Sequence, residues 1–100
     1  MPGYRLTEPA RLDLLEIAAF IARDDESAAE RTVSELESAL RGLAEMPLKG
    51  HSRPDIAQAE GLLFWCVRNY HVVYRAGTRP LEILRILHGS RDATRELDRE

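Results

Sequence analysis

Cysteine is almost absent from this sequence, which carries a single one, Cys66. No internal disulfide is available, and no cysteine set exists to hold zinc. Inside the run LLFWCV, that thiol is expected to be a small core residue rather than a nucleophile. Nothing here needs an oxidising compartment, so the expected location is cytoplasmic. A run of about 18 apolar residues is also missing, so no membrane span is expected. The opening MPGYRLTEPA lacks the apolar core of a secretory signal. Positive net charge is missing too: 14 Lys+Arg stand against 17 Asp+Glu, a balance of −3. That excludes a protein built to coat nucleic acid by itself. The three histidines, His51, His71 and His88, show no metal-ligand spacing, and there is no glycine-rich phosphate loop. No metal and no cofactor are therefore expected.

What is present is a small globular domain. With 100 residues, 44% of them hydrophobic and 31% charged, the chain can bury one core and not two. The predicted organisation is one domain over residues 1–91 followed by a polar tail over 92–100. Charge is uneven along it. Residues 1–50 hold six basic and ten acidic side chains, whereas residues 51–91 hold six arginines and three acids. Lys49 is the only lysine. Arginine suits fixed, planar contacts to carboxylate or phosphate.

The elements can be placed in order. GYRL (3–6) reads as a short strand. Thr7 offers a helix N-cap, with Pro9 tolerated in the first turn. Ala10, Leu14, Ile17, Ala18 and Ile21 then mark one face of a helix over 8–23, with Arg11, Asp13 and Glu16 off it. Ser27 and Glu30 read as a capping box for a second helix reaching Met46. Its apolar stripe is Ala29, Val33, Leu36, Leu40 and Leu43, and Pro47 ends it. Residues 48–61 read as an irregular loop with a turn or short strand near 55–57. Three strands follow, 62–67, 70–75 and 81–88, joined by short hairpin loops. In the first loop, Asn69 is expected to take the positive φ. The predicted fold class is α+β, in the order β-α-α-β-β-β: a helical hairpin packed on a small, mainly antiparallel sheet.

The strands lack clean alternation. Phe64 and Cys66 oppose Trp65 and Val67, and Leu84 and Ile86 oppose Ile83 and Leu87. One face of the sheet is covered by the helices, so the other needs a cover, either this chain's own tail or a partner segment; the tail offers only Ala93 and Leu97 as apolar residues, so a partner is expected.

These segments together resemble a known family. A helix of the form A-x-x-D-L-x-x-I (Ala10 to Ile17) is followed by a loop P-x-x-G-x-x-R (Pro47 to Arg53). A strand Y-x-V-x-Y-R (Tyr70 to Arg75) and an end I-L-x-x-L-H-G-x-R-D (Ile83 to Asp92) complete the set. Their order and spacing resemble the ParE/RelE superfamily of toxins from type II toxin–antitoxin systems, the ParE branch more than RelE. The resemblance implies a ParD-like antitoxin whose C-terminal segment wraps the toxin. Operator DNA would be reached only through that antitoxin. ParE-type members inhibit DNA gyrase and are associated with plasmid stabilisation, whereas RelE-type members are ribosome-dependent mRNA interferases.

The residues bear on that choice. A nuclease needs an acid or base and cations on the phosphate. His88 could supply the first, and Arg53, Arg75, Arg85 and Arg91 the second. Arg85 and His88 are three apart on one strand, so a regular strand points them to opposite faces. The negative net charge also argues against a ribosome-binding nuclease. The expectation is therefore a binding protein, with His88 and Arg91 as target contacts. Leu15, Phe20, Leu63 and Trp65 are the expected antitoxin contacts, as apolar side chains off the main core stripe.

Overall fold

The computed structural model describes residues 3–53, 55 and 61–89. Strand β1 (Tyr4–Leu6) leads into helix α1 (Glu8–Ala22), helix α2 (Glu26–Glu45) and one 3₁₀ turn (Pro47–Lys49). Strands β2 (Leu63–Val67), β3 (Tyr70–Arg75) and β4 (Leu81–His88) follow. They form one sheet in the order β1-β4-β3-β2. β1 runs parallel to β4, and the other two pairings are antiparallel. The expected β-α-α-β-β-β order and the helical hairpin on a mainly antiparallel sheet are what the chain forms. Residues 91–100 lie outside the described region, and so does the expected turn near 55–57 apart from Asp55.

Thr7 starts α1 as expected. Its hydroxyl accepts from the Ala10 amide at 3.3 Å and donates to the Leu84 carbonyl at 2.9 Å. The cap thus anchors helix and sheet together. α2 begins earlier than the Ser27 capping box implies. Asp25, in extended conformation, accepts from the Ala28 amide at 3.0 Å, and Ser27 falls inside the first turn. Asp caps as well as Ser does, and taking the earlier site leaves only Arg23–Asp25 between the helices. On α2 the buried stripe is Ala29, Thr32, Leu36, Leu40 and Leu43. Thr32 replaces the expected Val33 as the buried residue of the second turn.

The hairpin between β2 and β3 has the predicted two-residue loop, with Val67 opposite Tyr70. The left-handed residue is Arg68, at φ 54°, and not Asn69. A positive φ at the first loop position matches the right-handed twist of the flanking strands. The Arg68 guanidinium reaches Glu35 on α2, with Nη2 2.6 Å from Oε1, which compensates part of the backbone cost.

The helix-facing side of the sheet buries Val72, Tyr74, Leu81, Ile83 and Ile86 against Leu36, Leu40 and Leu43. The other side holds Leu62, Phe64, Val73 and Leu87, all buried within this chain alone. The expected partner is therefore not needed for that burial, and the chain itself supplies the cover. Part of the cover among the described residues is the Arg53 guanidinium, 5.7 Å from the Phe64 ring centroid. Cys66 was also misplaced as core, because it is exposed. It sits on edge strand β2 beyond the limit of that second cluster.

β4 departs from simple alternation. Val73 pairs with Arg85, but Tyr74 pairs with Ile83, so Leu84 is an extra residue, a β-bulge. Ile83 and Ile86 therefore share the helix-facing side, and Leu84 turns to the cluster on the other. Strict alternation had opposed Ile83 to Leu84 and Ile86 to Leu87 correctly, yet it placed Ile83 and Ile86 on opposite faces.

Tyr74 is fully buried, and its hydroxyl pins the 3₁₀ turn. It donates to the Pro47 carbonyl at 2.6 Å and accepts from the Gly50 amide at 3.0 Å. A Cβ on Gly50 would lie 2.4 Å from that hydroxyl. Tyr74→Phe orphans both backbone groups and is expected to cost about 2 kcal/mol in urea denaturation. Gly50→Ala is expected to cost at least as much, because the hydroxyl cannot retreat without losing Pro47. A Gly50→Ala protein as stable as wild type would show that the turn is free to move.

Candidate functional site

A concavity lies where α1 crosses the end of the β3–β4 ladder. It is a cavity of about 400 Å³. α1 contributes Asp13, Glu16, Ile17 and Phe20, and the sheet contributes Tyr70, Arg85, Ile86, Leu87 and His88. The bulge makes this possible. The inserted Leu84 puts Ile86 and His88 on the helix-facing side with Ile83, and the Asp13 carboxylate draws the long Arg85 side chain to the same cavity.

Asp13 holds that bulge in place. One carboxylate oxygen accepts from Arg85 Nε at 2.8 Å and from the Ile86 amide at 2.9 Å. The other accepts from Arg85 Nη2 at 3.0 Å. The Thr7 amide donates to the Ile83 carbonyl at 3.0 Å. Backbone groups around the extra residue are thus satisfied from α1 and its cap. Asp13 had been assigned to the outside of α1, yet its side chain is only 11% exposed. Arg85, a phosphate-binding candidate, is held in a bidentate carboxylate fork.

The other candidates are scattered. Arg53 is paired in the same way to Asp55, at 2.9 and 3.0 Å. Arg75 lies 3.6 Å from Glu82, which also meets Arg5 across the β1–β4 pair. Arg75 and His88 occupy opposite ends of the β3–β4 ladder, about 20 Å apart at strand spacing. Arg91 lies outside the described residues. His88 is exposed at the cavity mouth, its ring edge-on to Tyr70 with centroids 5.4 Å apart.

The expected antitoxin contacts fall into two groups. Leu15 and Phe20 on α1 are 54% and 68% exposed. Leu63 and Trp65 are half-buried on the helix-facing side of β2 and pack against the main core. Trp65 also stacks on His51 at 6.1 Å, and the Lys49 ammonium sits 4.8 Å from its ring centroid. Leu12, 47% exposed, had not been singled out. It precedes Leu15 by three and Ala19 by seven, so the three share one outward stripe. Spacing alone could have found it, because α1 is apolar on two sides. Beside this stripe a groove of about 530 Å³ runs between the helices. Its floor is Ala18, Ala22, Ala29 and Val33, and Glu26, Glu30 and Glu37 border it.

On the sheet face away from the helices, His71 stands across from Cys66, with Nδ1 3.7 Å from Sγ. Burial, helped by the nearby Arg53 charge, holds this imidazole below its ordinary pKa. The unfolded chain therefore binds more protons than the folded one through the histidine range, and stability rises with pH there. The contribution is complete above the ordinary histidine pKa of about 6.5 and is lost as pH falls through the lower folded value. Denaturation midpoints measured across this range should rise with pH, and His71→Gln should flatten the slope. An unchanged slope in the variant would assign the dependence to other groups.

Comparison with known proteins agrees with this architecture. The model for the ParE toxin of the type II toxin–antitoxin system parDE matches residues 4–93. The Sinorhizobium fredii (strain NBRC 101917 / NGR234) protein Y4kP, a toxin by name, is 38% identical over 78 residues. That match covers 78% of this chain and 76% of the relative. A structure of the chromosomal ParDE toxin–antitoxin system from P. aeruginosa superposes with a TM-score of 0.71 at 19% identity. It covers 87% of this chain and 95% of that one, and at this identity the likeness is one of fold.

Proposed function

The chain belongs to the ParE family of type II toxin–antitoxin toxins, and from that premise we propose that it acts by binding. It inhibits DNA gyrase, and a ParD-like antitoxin neutralises it. The observation that carries the non-enzymatic reading is the state of the cations. Arg53, Arg75 and Arg85 each face a carboxylate, on Asp55, Glu82 and Asp13 respectively. Arg53 and Arg75 do not converge with His88, and Arg85, which shares its cavity, is held by Asp13. Phosphoryl chemistry needs convergent cations aimed at a developing charge, and these guanidiniums are already committed.

The target contact is the His88 end of the sheet, continuing toward Arg91. The antitoxin contact is the outer face of α1, where Leu12 and Leu15 stand exposed beside the interhelical groove. Scattered exposed leucines are ordinary, but a stripe beside an apolar groove marks an interaction surface. No helix among the described residues is long and apolar enough to cross a membrane.

The test is to switch on the isolated gene and pulse-label DNA and protein synthesis, alongside gyrase supercoiling with the pure protein. Expected is an early stop in DNA synthesis, continued translation and inhibited supercoiling. His88→Ala is expected to weaken that inhibition by about tenfold while leaving the fold intact. Translation stopping first, with cleaved mRNA, would replace this reading with the interferase.

A further inference from the structure

The cavity between α1 and the end of β4 has a composition that its place in the fold does not require. Its floor is apolar, with Ile86 buried and Ile17 half-buried. Its mouth is formed by exposed Glu16, Phe20 and His88, with Tyr70 behind them. The charged pair on its wall cancels, since the Asp13 carboxylate neutralises Arg85 in a bidentate contact. Glu16 forms no hydrogen bond or ion pair among the described residues, so its carboxylate is open to a ligand's charge. Three aromatic rings and one carboxylate therefore line the cavity above an apolar base.

We propose that this cavity is a binding site for a cationic side chain, arginine or lysine, presented by a protein partner. The match runs along the length of such a side chain. Its methylene stem would cover Ile17 and Ile86, as long basic side chains do on apolar surface. Its charged head would reach Glu16 and the ring faces, where a cation is attracted by the π-system. A purely apolar side chain would fill the floor but strip water from Glu16 without compensation. An acidic side chain or a phosphate would meet that carboxylate directly. The Phe20 ring already engages one guanidinium, that of Arg23, 6.0 Å from its centroid. The ligand class assigned here stands apart from the gyrase reading, since it follows from the cavity and not from the target's identity.

The experiment uses the full chain and two uncharged-backbone probes, N-acetyl-arginine methylamide and its neutral isostere N-acetyl-citrulline methylamide. Each is titrated while the aromatic NMR signals of Phe20, Tyr70 and His88 are followed. The arginine probe should shift all three rings in a saturable way, and the citrulline probe should bind at least about fivefold more weakly. Glu16→Gln, at an exposed position, should bring the arginine probe down to the citrulline level. Phe20→Leu should weaken the arginine probe about threefold and leave the citrulline probe nearly unchanged. The proposal is overturned if the two probes bind wild type equally, if Glu16→Gln has no effect, or if arginine shifts signals without moving the cavity rings. None of these outcomes depends on whether the protein inhibits gyrase in the supercoiling assay.

Discussion

Asp13→Ala is expected to destabilise the protein by about 3 kcal/mol, the largest loss from any single polar side chain in the fold. The substitution removes three acceptor contacts at once. It strands the Arg85 charge, whose side chain is 24% exposed, and it orphans the Ile86 amide inside the bulge. Breaking a buried pair by removing one partner costs about 3–5 kcal/mol, and partial exposure of Arg85 sets the lower end. For a domain of this size the melting temperature should fall by about 12–24 °C. Asp13→Asn keeps one acceptor and should lose about half as much. The double variant Asp13→Leu/Arg85→Met separates the two contributions. It removes the stranded charge but leaves the amide unpaired, so a residual loss of about 1–2 kcal/mol is expected. If Asp13→Ala stays within about 1 kcal/mol of wild type, the carboxylate does not hold the bulge. A wild-type-like double variant would show that the amide contact contributes nothing.

That residue also marks the limit of what periodicity can reveal. Element order, the Thr7 cap, the two-residue hairpin loop and the strand bounds were legible, because each rests on local pattern. Leu36, Leu40 and Leu43 were legible as core for the same reason. Asp13 was not, since helical spacing sorts a charged residue off the apolar face toward water. Its partner lies 72 residues away on a strand whose regular alternation is broken by one inserted residue. Bulges have no period, so their polar demands are invisible until the strands are paired. The bulge also decides the candidate site. Without it Ile86 and His88 would turn to the face opposite Ile83, away from α1 and Phe20.

The second sheet face shows the opposite error. The apolar residues on both sides of β2 and β4 were legible, and the need for a cover was sound. Nothing in the strand pattern says whether the cover comes from the same chain. Val73 is fully buried and Phe64 nearly so without any partner present. The search for an antitoxin surface therefore moves from the sheet to α1. Leu63 and Trp65 belong to the packed side of β2, whereas Leu15 keeps its side chain in water.

From that shift comes the other large effect. Leu12→Asp/Leu15→Asp is expected to lower antitoxin affinity by at least about 100-fold while leaving toxicity intact. Two leucines that become buried in a complex contribute about 1.5–3 kcal/mol each, and a carboxylate in their place adds a desolvation cost. Glu26, Glu30 and Glu37 already border the neighbouring groove, so further negative charge there also repels an acidic approach. Both leucines point away from the buried face formed by Ala10, Leu14 and Ile17, so folding should be little affected. Co-expression with the antitoxin gives the readout: cells carrying the double variant should stop growing where wild-type toxin is neutralised. The control is Met46→Asp/Leu48→Asp, at positions 63% and 82% exposed beyond the end of α2. That pair is also apolar and is more exposed but lies off the α1 stripe, so neutralisation should survive it. If both double variants escape the antitoxin alike, or if neither does, the α1 stripe is not the docking face. The antitoxin must then grip the toxin elsewhere, with the half-buried β2 edge at Leu63 and Trp65 the next surface to mutate.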